Sequence, residues 1–380
     1  MERKKKIRNI SISCIFLIIV FGLTVASVAK KDSSFSENEN RVLQQRPEFS
    51  SKRLFDGTFT KEYETYITDQ FVMRNQWIAM KVYAEKALQK KDINGVYFGK
   101  DDYLIQQHTK EEVNESLVSK NLDRIQAFVD LYGNTANVNV MIVPTSSYTL
   151  KDKLPAYANE YDQKALMQQI KTRVGEKHYI NVEDTLNNHK DEYIYYRTDH
   201  HWTSLGAFYA YEEAGGQMGF TPYKKEDFTI EKATDEFLGT TYSKVNIKSK
   251  ADSIDLYSLK QNSDYHVDIN NGERMLDGVF DLEKLKEKDK YPVFLGGNNS
   301  VVEITGGEQN GKTLLVIKDS FAHTFVPFLA PHYEKIIMID YRYYNMSTKK
   351  LIEENKVTDI LFLYNTMNFV EDKTLLKLLK

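Results

Sequence analysis

The sequence predicts an α/β fold, and three observations predict it. Thr313 to Ile317, Lys335 to Ile339 and Thr358 to Leu363 are short apolar runs of β type. Segments long enough for helices separate them, which is the alternation of a parallel sheet with crossover helices. A further run, Val138 to Pro144 (VNVMIVP), has the same character and ends on polar Thr145-Ser146-Ser147.

The chain has 380 residues, 41 % hydrophobic and 28 % charged, ordinary material for a globular core. Its net charge is −3, and Arg3, Lys4, Lys5, Lys6 and Arg8 crowd the N-terminus. From residue 30 onward there are 46 basic against 53 acidic residues, a charge of −7. An acidic body argues against nucleic acid as the main partner, because binding phosphate needs a basic surface.

The elements follow in order. Asn9 to Ala29 is an uncharged run of 21 residues, long enough to cross a bilayer as a helix. The basic cluster before it belongs in the cytoplasm, which puts the rest of the chain outside. A cleaved signal peptide competes with this reading, since Ser27-Val28-Ala29 is a passable cleavage site. Cys14, the only cysteine, lies in this segment, so the exported body has neither a disulfide nor a thiol nucleophile. Lys30 to Arg53, with SENENRVLQQRPEFS, reads as a linker or arm. Leu54 to Lys90 has helical spacing, with Phe59, Tyr63, Ile67, Trp77 and Met80 in its apolar stripe. Residues 30–90 therefore form a linker and helical arm, and residues 91–380 the main domain.

Ile93 to Tyr103 (INGVYFGKDDY) predicts a hairpin with a Gly-Lys-Asp-Asp turn. Helices are expected from Lys110 to Tyr132, capped by Thr109, and from Tyr161 to Lys177, with a strand at His178 to Val182. Another helix starts at Gly206. A β-rich insertion near 221–310 interrupts the main domain. The sequence holds no internal repeat and no low-complexity tract.

Two segments carry chemistry. Arg197 to Ser204 read RTDHHWTS, and Thr313 to Phe321 read TLLVIKDSF. A serine hydroxyl becomes a nucleophile when a histidine takes its proton and a carboxylate orients that histidine. Asp199, His201 and Ser320 supply the three groups. The two-residue step puts Asp199 and His201 on one side of an extended segment. Ser320 follows its strand by two residues, at the carboxyl rim where open α/β sheets bind ligands. As a lone residue it reads equally well as a helix N-cap; with the Asp-x-His segment, the nucleophile reading is preferred. Asp340-Tyr341-Arg342 and Asn365 follow neighbouring strands onto the same rim. An amide there can stabilise an oxyanion beside the Ser320 N–H, and Tyr341 or Arg342 can hold a substrate oxygen. A solvated ion pair is an equal reading for Arg342. His200 is expected in the core, Trp202 as packing beneath the site, and His323 as a fallback base. A metal site on Asp199, His200 and His201 is a weaker alternative, since no H-x-H or H-x-x-x-H partner lies nearby.

Asp199-His200-His201-Trp202 matches the motif of the DHHW proteins, which are similar to alginate O-acetylation proteins and other SGNH-hydrolase-like acetyltransferases. ENRVLQQRPEFS (Glu39 to Ser50), DQFVMRNQW (Asp69 to Trp77), NGVYFGKDDYLI (Asn94 to Ile105) and VIKDSF (Val316 to Phe321) resemble further segments of that family. The resemblance implies an SGNH-like three-layer α/β/α domain with Asp199, His201 and Ser320 as catalytic residues. In ordinary SGNH hydrolases the serine comes first and an Asp-x-x-His closes the chain. Here the order is reversed and the spacing one residue shorter, a rearranged, permuted-like arrangement. For the oxyanion asparagine, position points to Asn365. The implied activity is O-acetyl transfer to an extracytoplasmic polysaccharide through an acyl-serine, with no cofactor and no metal. The implied partner is a membrane-bound O-acyltransferase that supplies acetyl groups. The same machinery with water as acceptor is an acetyl esterase. A metal phosphoesterase and a non-catalytic glycan-binding protein are the readings from other classes.

Overall fold

The computed structural model describes residues 2–36, 41–261 and 264–379. They form two compact units, Met1–Lys90 with Val245–Ile247, and Lys91–Lys244 with Lys248–Lys380. Part of the linker motif, residues 37–40, lies outside the described residues.

The first unit opens with the helix Glu2–Ala29, whose stretch Arg3–Ala29 is long and apolar enough to cross a membrane. Phe35–Ser36 pairs antiparallel with Arg41–Val42. The stretch of helical spacing from Leu54 to Lys90 falls into three helices, Ser51–Phe55, Thr58–Gln70 and Arg74–Ala87. It breaks at Gly57 (φ +80°), where a left-handed backbone suits glycine, and again at Phe71–Met73. Asp69 is buried at the second break, where its carboxylate accepts from Arg41 Nη1 and the Gln44 N–H, both at 2.9 Å. Breaking the helix there lets one buried charge gather donors from a distant strand.

The second unit is built on an eight-stranded sheet. Its strands, numbered here in chain order, are β1 (Asn137–Val143), β2 (Tyr179–Ile180), β3 (His266–Ile269) and β4 (Arg274–Asp277), then β5 (Val301–Thr305), β6 (Thr313–Lys318), β7 (Lys335–Ile339) and β8 (Asp359–Asn365). Their spatial order is β4-β3-β5-β7-β6-β8-β1-β2. From β7 to β2 every pairing is parallel; β5, β3 and β4 continue the sheet antiparallel. Part of the predicted insertion thus belongs to the main sheet. The rest, Phe228–Phe237 with Asp252–Leu259, makes a separate hairpin.

The alternation along the strands divides the core. Leu314, Val316, Leu361 and Leu363 pack with the helices Ser204–Met218 and Ala322–Leu329 on one face. Leu315, Ile317, Ile360 and Phe362 pack on the other with Glu115–Tyr132 and Gln163–Val174. Strands apolar on both faces need a helical layer on each side, and this sequence supplies both. The expected helix from Lys110 starts instead at Glu115, because Asn114 Oδ1 accepts from the N–H groups of Ser116 and Leu117. Gly99–Tyr103 closes the predicted hairpin, with Phe98 opposite Leu104.

Two buried histidines, His108 and His332, should make the fold sensitive to acid. His108 is 5 % exposed, and burial pushes its imidazole down to about 3. His332, which meets the Tyr211 hydroxyl at 2.7 Å and stacks on Phe220, is pushed down to about 4, also by burial. Between those values and the ordinary histidine range, only the unfolded chain takes up the proton. Stability should therefore be full above pH ~6.5 and fall toward pH ~4 by about 1.4 kcal/mol per pH unit for each histidine. Denaturant melts across this range should show a shallower slope for His108→Gln and for His332→Gln than for wild type.

Candidate active site

The RTDHHW segment is a tight loop closed by a bridge between Tyr195 and Trp202, with the Tyr196 N–H donating to the His201 carbonyl at 3.2 Å. A buried acceptor holds its base. Asp252, fully buried in the hairpin, accepts from the N–H groups of Arg197 (2.8 Å) and Thr198 (2.7 Å) and from the hydroxyls of Thr198 and Tyr193. Thr203 then caps the helix Ser204–Met218, accepting from the Gly206 N–H. The loop is thereby fixed at both ends, and Asp199 and His201 project from its middle.

Ser320 arrives from β6. Asp319 Oδ1 accepts from the Phe321 N–H at 2.8 Å, and the helix Ala322–Leu329 begins just after it. That leaves the Ser320 side chain out of the capping role. Its Oγ lies 2.7 Å from His201 Nε2, and His201 Nδ1 lies 2.5 Å from Asp199 Oδ1. Asp199 Oδ2 accepts from the N–H (2.8 Å) and hydroxyl (2.9 Å) of Thr240. Ser320, His201 and Asp199 are 8, 5 and 2 % exposed, so the relay is sheltered from bulk water. Burial by itself would raise the Asp199 carboxyl; the His201 and His200 imidazoles and the hydrogen bonds outweigh it and hold the group far below the usual carboxylate range. Asp199 is therefore an anion at neutral pH, which fixes the N–H of His201 on Nδ1 and leaves Nε2 to accept the serine proton.

The other rim residues have different partners. Asn365 caps the helix Thr366–Glu371 through Oδ1, and its Nδ2 donates to Asp319 Oδ2 at 2.9 Å. Through these bonds Asn365 braces the turn that carries Ser320. Tyr341 points into the opposite core layer, where its hydroxyl meets Thr348. Arg342 grips Asp340 through Nε (2.9 Å) and Nη2 (2.6 Å), and Asp340 also accepts from the buried Lys318 at 3.2 Å. His323 is no reserve base: its Nε2 faces Lys318 Nζ at 2.7 Å, and burial with that ammonium keeps it neutral. His200, expected in the core, has a side chain 28 % exposed and bonds the Thr240 hydroxyl through Nδ1 at 2.6 Å. Trp202 is fully buried beneath the turn and donates to the Phe321 carbonyl at 3.0 Å.

Asp199, His200 and His201 lie close enough together to hold a metal ion. Their donor atoms face one another, Ser320 and Thr240, so the hydrogen-bond pattern suits proton transfer better than ligation.

Three groups had no signal in the sequence. The Tyr291 ring lies flat against the His201 imidazole, centroids 3.8 Å apart and planes at 10°. Its hydroxyl donates to the Ser320 carbonyl at 2.9 Å and accepts from Thr324 at 2.8 Å, so it braces both His201 and Ser320. Asp319 Oδ2 gathers the Asn365 N–H and the amides of Asn365 and Asn368. Gly239 gives Asp199 its space: a Cβ there would stand 2.3 Å from Asp199 Cβ and 2.4 Å from Oδ2.

That contact makes a specific test. Gly239→Ala should cost about 1–3 kcal/mol of stability. Its crystal structure should show Asp199 displaced from hydrogen-bond distance of His201 Nδ1; an unmoved carboxylate would refute the steric account.

Comparison with known proteins places this architecture. No curated protein matches the chain significantly. Among solved structures, a DHHW family protein from Eubacterium siraeum is similar at 23 % identity and TM-score 0.63, over 74 % of this chain and 94 % of that one. Bacillus cereus PatB1, solved with a sulfonyl adduct, is similar at 19 % identity and TM-score 0.62, over 75 % of this chain and all of that one. These likenesses show a shared fold. The family model described as DHHW protein matches residues 111–339, more than half the chain, from the helix Glu115–Tyr132 through the turn at Ser320 to the end of β7. The chain belongs to the DHHW protein family.

Proposed function

We propose that this protein is an extracytoplasmic O-acetyltransferase that modifies a cell-surface or exported polysaccharide through an acyl-serine intermediate. The observation that supports it most is the unbroken series Ser320 Oγ, His201 Nε2, His201 Nδ1, Asp199, with contacts of 2.7 and 2.5 Å. In this reading Ser320 Oγ bonds to the acyl carbon as its proton passes to His201, and the proton then leaves with the departing group of the donor. A sugar hydroxyl next gives its proton to His201 and attacks the acyl carbon, and Ser320 departs reprotonated. Asp199 stays ionised and stabilises the imidazolium. The Ser320 N–H donates to no acceptor among the described residues, which suits an oxyanion donor.

The catalytic domain is residues 91–380, an SGNH-like domain whose histidine precedes its serine. Residues 9–29 are an uncleaved anchor, and a membrane-bound O-acyltransferase supplies the acetyl group, as the family resemblance implies. With water in place of the sugar the same residues would hydrolyse acetyl esters, so esterase activity serves as the assay.

A chromogenic acetyl ester should be cleaved by wild type, and Ser320→Ala should lose about 10³-fold or more of that rate without a change in melting temperature. A sulfonyl fluoride should add to Ser320: the oxygen–sulfur bond forms, fluoride leaves and the proton goes to His201. Intact mass should rise in wild type and not in Ser320→Ala; labelling of both forms would remove Ser320 as nucleophile.

Tyr291 provides a graded test. Tyr291→Phe keeps the ring and should stay within roughly tenfold of wild type, while Tyr291→Leu, which leaves the imidazolium without its aromatic face, should lose roughly another tenfold in kcat. Equal rates for the two variants would show that the ring contact contributes nothing.

A further inference from the structure

The helix Arg74–Ala87 leaves an apolar stripe uncovered. Met73, Trp77, Met80 and Leu88 are 55, 40, 53 and 77 % exposed. At 100° per residue Trp77 and Met80 share one side of the helix, with the fully buried Val82 on the opposite side, and Met73 and Leu88 flank its two ends. The helix therefore packs by one face and keeps a second apolar face open. A polar surface helix has no use for that second face.

Its location points to what covers it. The Val72 N–H donates to Ser27 Oγ at 3.3 Å, and Ser27 is in the last turn of the apolar helix Glu2–Ala29. The Phe71 and Trp77 rings are 6.5 Å apart, so the start of the stripe stays beside that junction. Residues 74–90 hold four basic residues, Arg74, Lys81, Lys86 and Lys90, against Glu85 alone, with Arg74 also near Asp69 and Lys90 paired to Glu85. Lys30 and Arg74 also line a polar cavity of about 380 Å³ at the junction.

We propose that the face of Met73, Trp77, Met80 and Leu88 lies in the headgroup region of an anionic bilayer. The inference rests on the reading of residues 9–29 as an anchor. A basic helix with Trp and Met on its apolar side, starting where a spanning helix leaves the bilayer, has the composition of an interfacial helix. The chain is then held at two points, by the spanning helix through the bilayer and by Arg74–Ala87 on its surface. The second attachment stops the arm from swivelling about the first.

The two tryptophans permit a direct test. Trp202 is fully buried in the other unit, so Trp77 alone can meet lipid. The full-length chain in phosphatidylcholine–phosphatidylglycerol nanodiscs is compared with and without lipid brominated near the headgroup end of its acyl chains, and Trp77→Phe gives the Trp202 background. The Trp77 emission should fall roughly twofold with this lipid, and less with lipid brominated near the methyl end. Phe21→Trp in the Trp77→Phe background reports the anchor separately, and its emission should be quenched by the deep probe. Quenching of that anchor reporter with Trp77 left unquenched overturns the interfacial helix and leaves the anchor intact. Failure of both to quench overturns the two readings together. A Trp77 shielded from acrylamide yet untouched by brominated lipid would mean that protein covers the stripe, and would also overturn the proposal.

Discussion

A carboxylate buried to 2 % exposure must be compensated, and the compensation of Asp199 organises this site. It takes hydrogen bonds from the His201 ring and backbone N–H and from the Thr240 N–H and hydroxyl. Each donor comes at a structural cost: Gly239 must lack a side chain, and Thr240 must be carried in by the segment between the two hairpin strands. An isolated buried anion would take up a proton or unfold its surroundings. Surrounded by these donors it keeps its charge, and that charge holds the imidazole in the tautomer a serine needs.

The sheet provides the second half of the geometry. β6 lies between β7 and β8 in the parallel block, so the turn after it is flanked by two other strand ends. Asp319 uses that position, tying its turn to Asn365 and Asn368 beyond β8. On the other flank, the buried Lys318 and Asp340 form a charge network with the exposed Arg342. Ser320 therefore sits on a rim braced from both sides, while His201 comes from a loop pinned by Asp252. Tyr291 spans the two, with its ring on the histidine and its hydroxyl on the serine backbone.

Much of the fold was legible because it depends on local order. Apolar runs of five to seven residues gave the parallel strands, and the buried side chains alternate along them as a two-faced sheet requires. The Asp-x-His step was readable because two residues along an extended loop face the same way. The break at Phe71–Met73 was not, because the apolar stripe continues through it and the cause, a carboxylate shared with Arg41, lies far away in sequence. That β3, β4 and β5 extend the main sheet was hidden similarly, since their pairing depends on which edge of the parallel block is open.

Asn365 shows where positional reasoning ends. Its place at the end of β8 was correct, yet position says nothing about the partners an amide takes, here Asp319 and the start of the next helix. By itself, then, the sequence determined the α/β class, the apolar N-terminal helix, the family motif and the three chemical groups Asp199, His201 and Ser320. Only the tertiary structure decided that these groups touch, that Tyr291 and Gly239 belong with them, and that Asn365, Arg342 and Tyr341 bond to Asp319, Asp340 and Thr348. The physical reason is that hydrogen-bond partnership and steric room are pairwise properties of residues more than a hundred positions apart, as His201 and Ser320 are, and no local pattern records them.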